Sequence, residues 1–365
     1  MDDQRVYVIG LGVIGHSHAA SVAAFPRTPN VELIAADPDA HARARFHEQY
    51  PKARLFDNAA TAMAQPSRPD DIVVVATPVF THCELTCAAL ETGRHVLCEK
   101  PFAMNRKEAE QMVEVARNKD RLVGCCSSRF LGRLATQKVK EMMRSGRLGN
   151  IYHLDFINRA PRSRCGIEYQ PSSRWFLDSS KNGGGCLMDW GPYDFSLLND
   201  LLSCVRVEVC GGWMASPTTA ADPKDVVFDV EEHIGATLKY HQHDGAVISI
   251  TYERSACFHG DARRTAELHG TKGSVNFDWL GFPQDTNRMT LYYDRGGVLE
   301  TETITYEDKN ALSPFYKALV NFYRSVKGEE APSVLNEQAL FNFSCLRAIY
   351  DCIATGSPQT VEKGA

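Results

Sequence analysis

No stretch of the 365-residue chain approaches the roughly 18 to 20 consecutive apolar residues of a membrane-spanning helix, which excludes an integral helical membrane protein. The opening Met-Asp-Asp-Gln-Arg is acidic and runs directly into a strand pattern, so no signal peptide is expected. Positive charge is not in excess: 40 Lys and Arg face 45 Asp and Glu, a formal net charge of -5. That balance excludes nucleic acid as the main partner, because phosphate binding ordinarily leaves a basic face. Glycine, proline and serine form no dense block, which argues against a disordered segment. Among the 12 cysteines there is no Cys-x-x-Cys, and Cys125 and Cys126 are adjacent. A zinc or disulfide framework is therefore not expected, and free buried thiols place the protein in a reducing cytoplasm.

What is present is the make-up of an ordinary folded protein, 44% hydrophobic and 23% charged, long enough for two domains. Up to about residue 125, short β-branched runs alternate with amphipathic helical patterns, as in βαβ units around a parallel sheet. Strands are expected at 5–9, 31–36, 53–56, 72–76, 95–98 and 121–125, and a helix at 128–148 follows them. The rhythm then changes to longer strands, at 151–158, 205–213, 231–240, 246–253, 265–269, 274–278 and 289–293. These read as a large, mostly antiparallel open sheet. Two helices, 313–326 and 336–355, close the chain. The expected layout is a doubly wound Rossmann α/β domain over residues 1–126 and an α+β domain over 127–365 that binds substrate and supports oligomerisation.

Directly after the first strand comes Gly10-Leu11-Gly12-Val13-Ile14-Gly15, then a helix, then Asp37 at the end of the second strand. This is the full context of the dinucleotide fingerprint. Gly10 allows the tight turn, Gly12 clears the pyrophosphate path, and Gly15 lets helix and strand pack closely. Asp37 suits both adenosine-ribose hydroxyls and favours NAD. NADP stays open because His41 and Arg43 lie nearby. Thr77-Pro78 and Glu99-Lys100-Pro101 end the fourth and fifth strands at the carboxyl edge, where open α/β sheets bind ligands. The Lys100–Pro101 bond is of the kind that can be cis. Further on, Gly183-Gly184-Gly185 precedes Asp189 and Tyr193, which are four apart, at helical spacing. His16-x-His18 and His241-x-His243 lack a third ligand at zinc spacing and read as loop or strand residues, so no metal is expected.

Taken together, Gly10 to Gly15, the segment from Ala88 to Pro101, Gly183 to Tyr193 and Ala348-Ile349-Tyr350 resemble the Gfo/Idh/MocA oxidoreductase family over nearly the whole chain. The resemblance implies that Lys100 orients the substrate hydroxyl and assists proton transfer, supported by Asp189. Where the family commonly has His as acid/base, this chain has Tyr193. A Tyr with a reference pKa near 10 can serve if a Lys ammonium lies within about 4 to 6 Å. The expected cofactor contacts are Gly10, Gly12, Val13, Ile14, Gly15, Asp37, Thr77, Pro78, His82, Glu99, Lys100 and Arg129. The expected substrate contacts are Lys100, Asn158, Trp175, Asp189 and Tyr193, and Arg162 and Arg164 form a basic loop. The implied activity is hydride transfer between a carbinol carbon of a sugar, glycoside or cyclitol and nicotinamide, in a homodimer or homotetramer. Two other readings stand beside it: glycoside cleavage by transient oxidation with tightly held NAD, and a catalytically inactive dinucleotide-binding sensor.

Overall fold

The structure is a computed structural model and describes residues 4–26, 30–160, 171–216, 227–280, 287–307 and 312–364. It divides into two compact units, Met1–Arg129 with Leu312–Phe343, and Phe130–Ala311 with Ser344–Ala365.

The first unit runs β1 (Gln4–Ile9), α1 (Val13–Ser21), β2 (Val31–Ala36), α2 (Ala40–Gln49), β3 (Arg54–Phe56), α3 (Ala59–Met63), β4 (Ile72–Val75), α4 (His82–Glu91), β5 (His95–Cys98), α5 (Arg106–Asn118) and β6 (Val123–Cys125). Its strands pair in parallel in the order β3-β2-β1-β4-β5-β6, the doubly wound arrangement. Every residue of β1 and β4 is buried, as expected for strands covered on both faces. The helices follow from local chemistry. In α5, Asn105 accepts the Glu108 N–H while Glu108 accepts the Met104 N–H, and Ala109, Met112, Val113 and Ala116 face inward at helical spacing.

The second unit holds α6 (Leu134–Arg144), β7 (Ile151–Arg159), α7 (Ser179–Asn182), α8 (Cys186–Leu202), β8 (Arg206–Ala215), β9 (His233–His241), β10 (Val247–Ser255), β11 (Arg263–Gly270), β12 (Gly273–Phe277), β13 (Asn287–Arg295) and β14 (Val298–Tyr306). After them come α9 (Pro314–Val326), α10 (Asn336–Thr355) and β15 (Gln359–Glu362). The sheet has the order β14-β13-β12-β11-β7-β10-β9-β8-β15 and is antiparallel except for β7 against β10. On β10, Ile248, Ile250 and Tyr252 are buried, with Tyr252 packed against Phe195 of α8, while Val247 and Thr251 are exposed. One face of the sheet is thus covered and the other is polar.

Three features differ from the sequence expectation. The first unit takes back residues 312–343, which a single boundary at 126 assigns to the second domain. The reason is apolar burial: Leu319 and Phe322 of α9 join the core of Val6, Val8 and Val74, and Val334 and Asn336 bond the edge of β6 at Cys125 and Val123. The helix expected at 128–148 is a 3-10 turn at Cys126–Phe130 and then α6, which starts only at Leu134. The strand β14 was not anticipated, although Gly296-Gly297, both at positive φ, joins it to β13 as a tight hairpin. Its side chains alternate between partly buried and exposed at the sheet edge, so its apolar signal is weak.

Candidate active site

The dinucleotide cradle is built by the turn from β1 into α1. Gly10 sits at φ 95°, and a β-carbon there would lie 2.6 Å from the Ala76 carbonyl oxygen and 2.9 Å from the Thr77 methyl. One on Gly15 would lie 2.1 Å from the Gly10 carbonyl oxygen. The fold itself therefore requires these two glycines. Gly12 differs: a β-carbon there meets no atom within 4 Å, and the neighbouring Val13 is 86% exposed. Helix α1 also has no side-chain cap and no acidic residue in its first turn. A clear approach to uncapped helix N–H groups is what a pyrophosphate needs, so the residues present fit the dinucleotide.

Asp37 closes the cradle. Its carboxylate accepts the Leu11 N–H and the Asp39 N–H, each at 2.8 Å, and Arg43 donates to the Asp37 carbonyl at 2.7 Å. Asp37→Ser is expected to weaken NAD binding by about tenfold and to move the NADP/NAD ratio toward NADP, because the like charge facing a 2'-phosphate goes with it. Calorimetric titration with both dinucleotides checks this, and an unchanged ratio would remove Asp37 from cofactor selection.

The loops after β4 and β5 meet through His82. One ring nitrogen lies 2.9 Å from the Thr77 carbonyl oxygen and the other 2.9 Å from that of Pro101. Burial pushes the imidazole pKa down, against the pull of the two carbonyls. His82, expected to touch cofactor, has both ring nitrogens against backbone carbonyls, and as a neutral ring it donates to one of them. Thr77 bonds Thr81 through their hydroxyls at 2.7 Å. The Lys100–Pro101 peptide is cis.

Glu99 is the polar centre of this edge. One carboxylate oxygen accepts from His18 at 2.7 Å and from Arg129, and the other accepts the Lys100 backbone N–H at 3.0 Å. Burial alone would raise the Glu99 pKa, but the Arg129 guanidinium and His18 hold it well below the usual carboxylate range. Arg129, expected on the nicotinamide side, is 3% exposed, with its guanidinium over the Phe315 ring. His16 and His18, read from sequence as loop or strand residues, both lie in α1. His18 was missed as a site residue, yet a signal exists: it follows Gly15 by three, on the helix face that packs on the sheet, where a polar ring must find a partner. His18, Glu99 and Cys126 bring three possible metal-ligand atoms within 4.8 Å of one another. Glu99 is already shared by His18 and Arg129, so the cluster is an ion-pair network.

In the second unit, α8 carries Asp189 and Tyr193 one turn apart, both buried. Tyr193 packs edge-to-face on Phe130 at 4.9 Å and on Trp190 at 5.5 Å. The start of α8 is held by Glu231, whose carboxylate accepts the Gly185 N–H at 2.7 Å, the Leu187 N–H at 3.0 Å and the Tyr350 hydroxyl at 2.8 Å. Sequence reasoning missed Glu231 because its partners are 44 residues and more away. Below Trp190, Arg254 pairs with Asp194 through two 2.5 Å hydrogen bonds. Asn158 is buried on β7, on the same face as Leu154 and Phe156, and Trp175 is half-buried, stacked on Phe176 at 4.0 Å. Arg162 and Arg164 lie outside the described residues.

Comparison with known proteins agrees with this geometry. Residues 4–126 match the profile described as "Oxidoreductase family, NAD-binding Rossmann fold", and residues 136–276 match the "GFO/IDH/MocA C-terminal domain". The chain is 28% identical to levoglucosan dehydrogenase of Pseudarthrobacter phenanthrenivorans over 299 residues, 76% of this chain and 74% of that one. It is 26% identical to D-glucoside 3-dehydrogenase of Escherichia coli over 364 residues, 97% and 96% of the two chains. Myo-inositol 2-dehydrogenase of Thermotoga maritima is 24% identical over 336 residues, 91% of each. A solved levoglucosan dehydrogenase in complex with NADH and levoglucosan shares the fold, with a TM-score of 0.77 at 19% identity over 99% of this chain and 100% of that one. No helix among the described residues is long and apolar enough to cross a membrane. With both of its domains matched, the chain belongs to the Gfo/Idh/MocA family and is an NAD(P)-dependent oxidoreductase.

Proposed function

We propose that the chain oxidises a carbinol carbon of a sugar, glycoside or cyclitol, with Lys100 and Tyr193 handling the hydroxyl proton and Asp189 supporting them. The observation that carries this reading lies within the first unit. The glycine turn abuts Ala76 and Thr77, and the His82 ring lies between the Thr77 and Pro101 carbonyl oxygens, 2.9 Å from each, so Lys100 belongs to the same cluster of loops as the dinucleotide cradle. A bound dinucleotide supplies the hydride acceptor; the chain has to orient the hydroxyl and take its proton. An ammonium on a strand end next to a buried, compensated carboxylate suits the first task, and a phenol on a buried helical turn suits the second. The relatives named for levoglucosan, D-glucosides and myo-inositol all point to polyhydroxylated rings. Asn158 and Trp175 are assigned to the substrate side, and assembly as a homodimer or homotetramer belongs to the same reading.

The test is growth of the reduced-nicotinamide absorbance with NAD or NADP and a panel of hexoses, inositols and glycosides. Turnover with one class supports the reading. Silence, with dinucleotide recovered from the denatured protein, would favour glycoside cleavage with retained NAD. Tyr193→Phe is expected to lower kcat about ten- to a hundredfold and to flatten its pH profile, because the titrating phenol is gone. A variant with unchanged rate and pH dependence would remove Tyr193 from proton transfer.

A further inference from the structure

We propose that His18 is a positioning residue for Lys100, acting through Glu99 rather than on any ligand. The inference rests on the reading of Lys100 as a proton-transfer residue. His18 is fully buried, and its Nε2 lies 2.7 Å from Glu99 Oε1, so that nitrogen carries the proton and donates it to the carboxylate. Its other nitrogen, Nδ1, is buried without a hydrogen-bond partner. The Cys126 sulfur lies 3.9 Å from Nε2, the nitrogen that already faces Glu99, and is a poor partner. A buried ring with one unsatisfied nitrogen is a costly way to fill space that Leu or Met would fill without penalty. The return is the bond to Glu99.

That bond has a consequence for the next residue. Glu99 has two oxygens with separate duties: Oε1 is clamped by His18 from α1 and by Arg129 from the turn after β6, and Oε2 accepts the Lys100 amide at 3.0 Å. Arg129 balances the carboxylate charge and shares Oε1 with His18, which adds a second hold on the carboxylate's rotation from α1. With the rotation fixed, the Lys100 amide has one acceptor direction, and His82 holds the carbonyl of the following Pro101. The Glu-Lys-Pro segment is therefore pinned on both sides of Lys100, which fixes where its side chain leaves the sheet edge. A displacement of about 1 Å in such a group can cost on the order of a hundredfold in rate.

The experiment compares the full-length wild type with His18→Leu, His18→Asn and His18→Gln. Gln places an amide N–H near the position of Nε2, whereas Asn is too short to reach Glu99 and Leu has no donor. In His18→Leu, kcat is expected to fall about ten- to a hundredfold, with the KM for NAD within about threefold of wild type. His18→Gln recovers most of that loss. In the same proteins without substrate, hydrogen exchange of the peptide Cys98–Phe102 is expected to quicken about tenfold in the Leu and Asn variants and not in Gln. If the Leu variant fails to fold, the Asn variant carries both readouts. Equal losses in Gln and Leu, or exchange in the Leu and Asn variants that matches wild type, overturn the proposal. If the wild type oxidises nothing on the polyol panel, the functional reading fails, while the exchange measurement still decides whether His18 holds Lys100 through Glu99.

Discussion

Lys100→Met is expected to lower kcat by about a thousandfold or more while leaving NAD affinity within a few fold of wild type. The substitution keeps the length and apolar stem of the side chain and removes only the ammonium. The Lys100 backbone N–H, which holds Glu99 Oε2, is retained, so the buried network of His18, Glu99 and Arg129 stays closed. The cradle at Gly10, Gly12 and Gly15 is formed by other backbone segments. What is lost is the cation that orients the hydroxyl and assists its proton, a contribution of about a hundred- to ten-thousandfold for general acid–base groups. Steady-state kinetics and a dinucleotide titration of the same preparation check both halves. Loss of folding in place of loss of turnover would make Lys100 structural.

Glu231→Ala has the largest expected effect on stability. The carboxylate is buried and accepts two N–H groups at the start of α8 and the Tyr350 hydroxyl of α10, all in the second unit. Removing it strands two buried N–H donors, each worth about 1 to 3 kcal/mol when left unsatisfied, and the partly buried Tyr350 hydroxyl. The chain cannot close the gap by shifting Gly185 toward the Glu231 backbone, because a β-carbon on Gly185 would already lie 1.8 Å from the Glu231 carbonyl oxygen. A loss of about 3 to 5 kcal/mol is expected, seen as a fall in Tm on the order of 10 °C by calorimetry. Activity should fall as well, since Asp189 and Tyr193 lie in the first two turns of the loosened helix. An unchanged Tm would mean that water takes over the cap and that α8 is held by its packing.

The parts of this molecule that were legible in the sequence are those fixed by short-range pattern. Strands β1 and β4 announce themselves because both faces are buried and the apolar runs are continuous, and the glycine fingerprint because backbone contact at Gly10 and Gly15 admits no side chain. Glu99-Lys100-Pro101 was visible as a polar group ending an apolar strand. The parts that were not legible depend on long-range partners. Nothing near residue 318 says that α9 returns to the first unit, since an amphipathic helix fits any apolar surface. Nothing near Glu231 says that its carboxylate ends at Gly185 and Leu187. His18 was misassigned for a related reason: a histidine looks the same in sequence whether its ring meets a ligand, a buried carboxylate or a backbone carbonyl.

The central claim is that this protein takes a hydride from a carbinol carbon. The most direct test is incubation of the full chain and NAD with the polyol that gives turnover, deuterated at the carbon oxidised, followed by mass analysis of the recovered dinucleotide. Reduced dinucleotide carrying one deuterium is the predicted result. Reduced dinucleotide without deuterium, or consumption of the polyol with no reduced dinucleotide formed, would contradict the account.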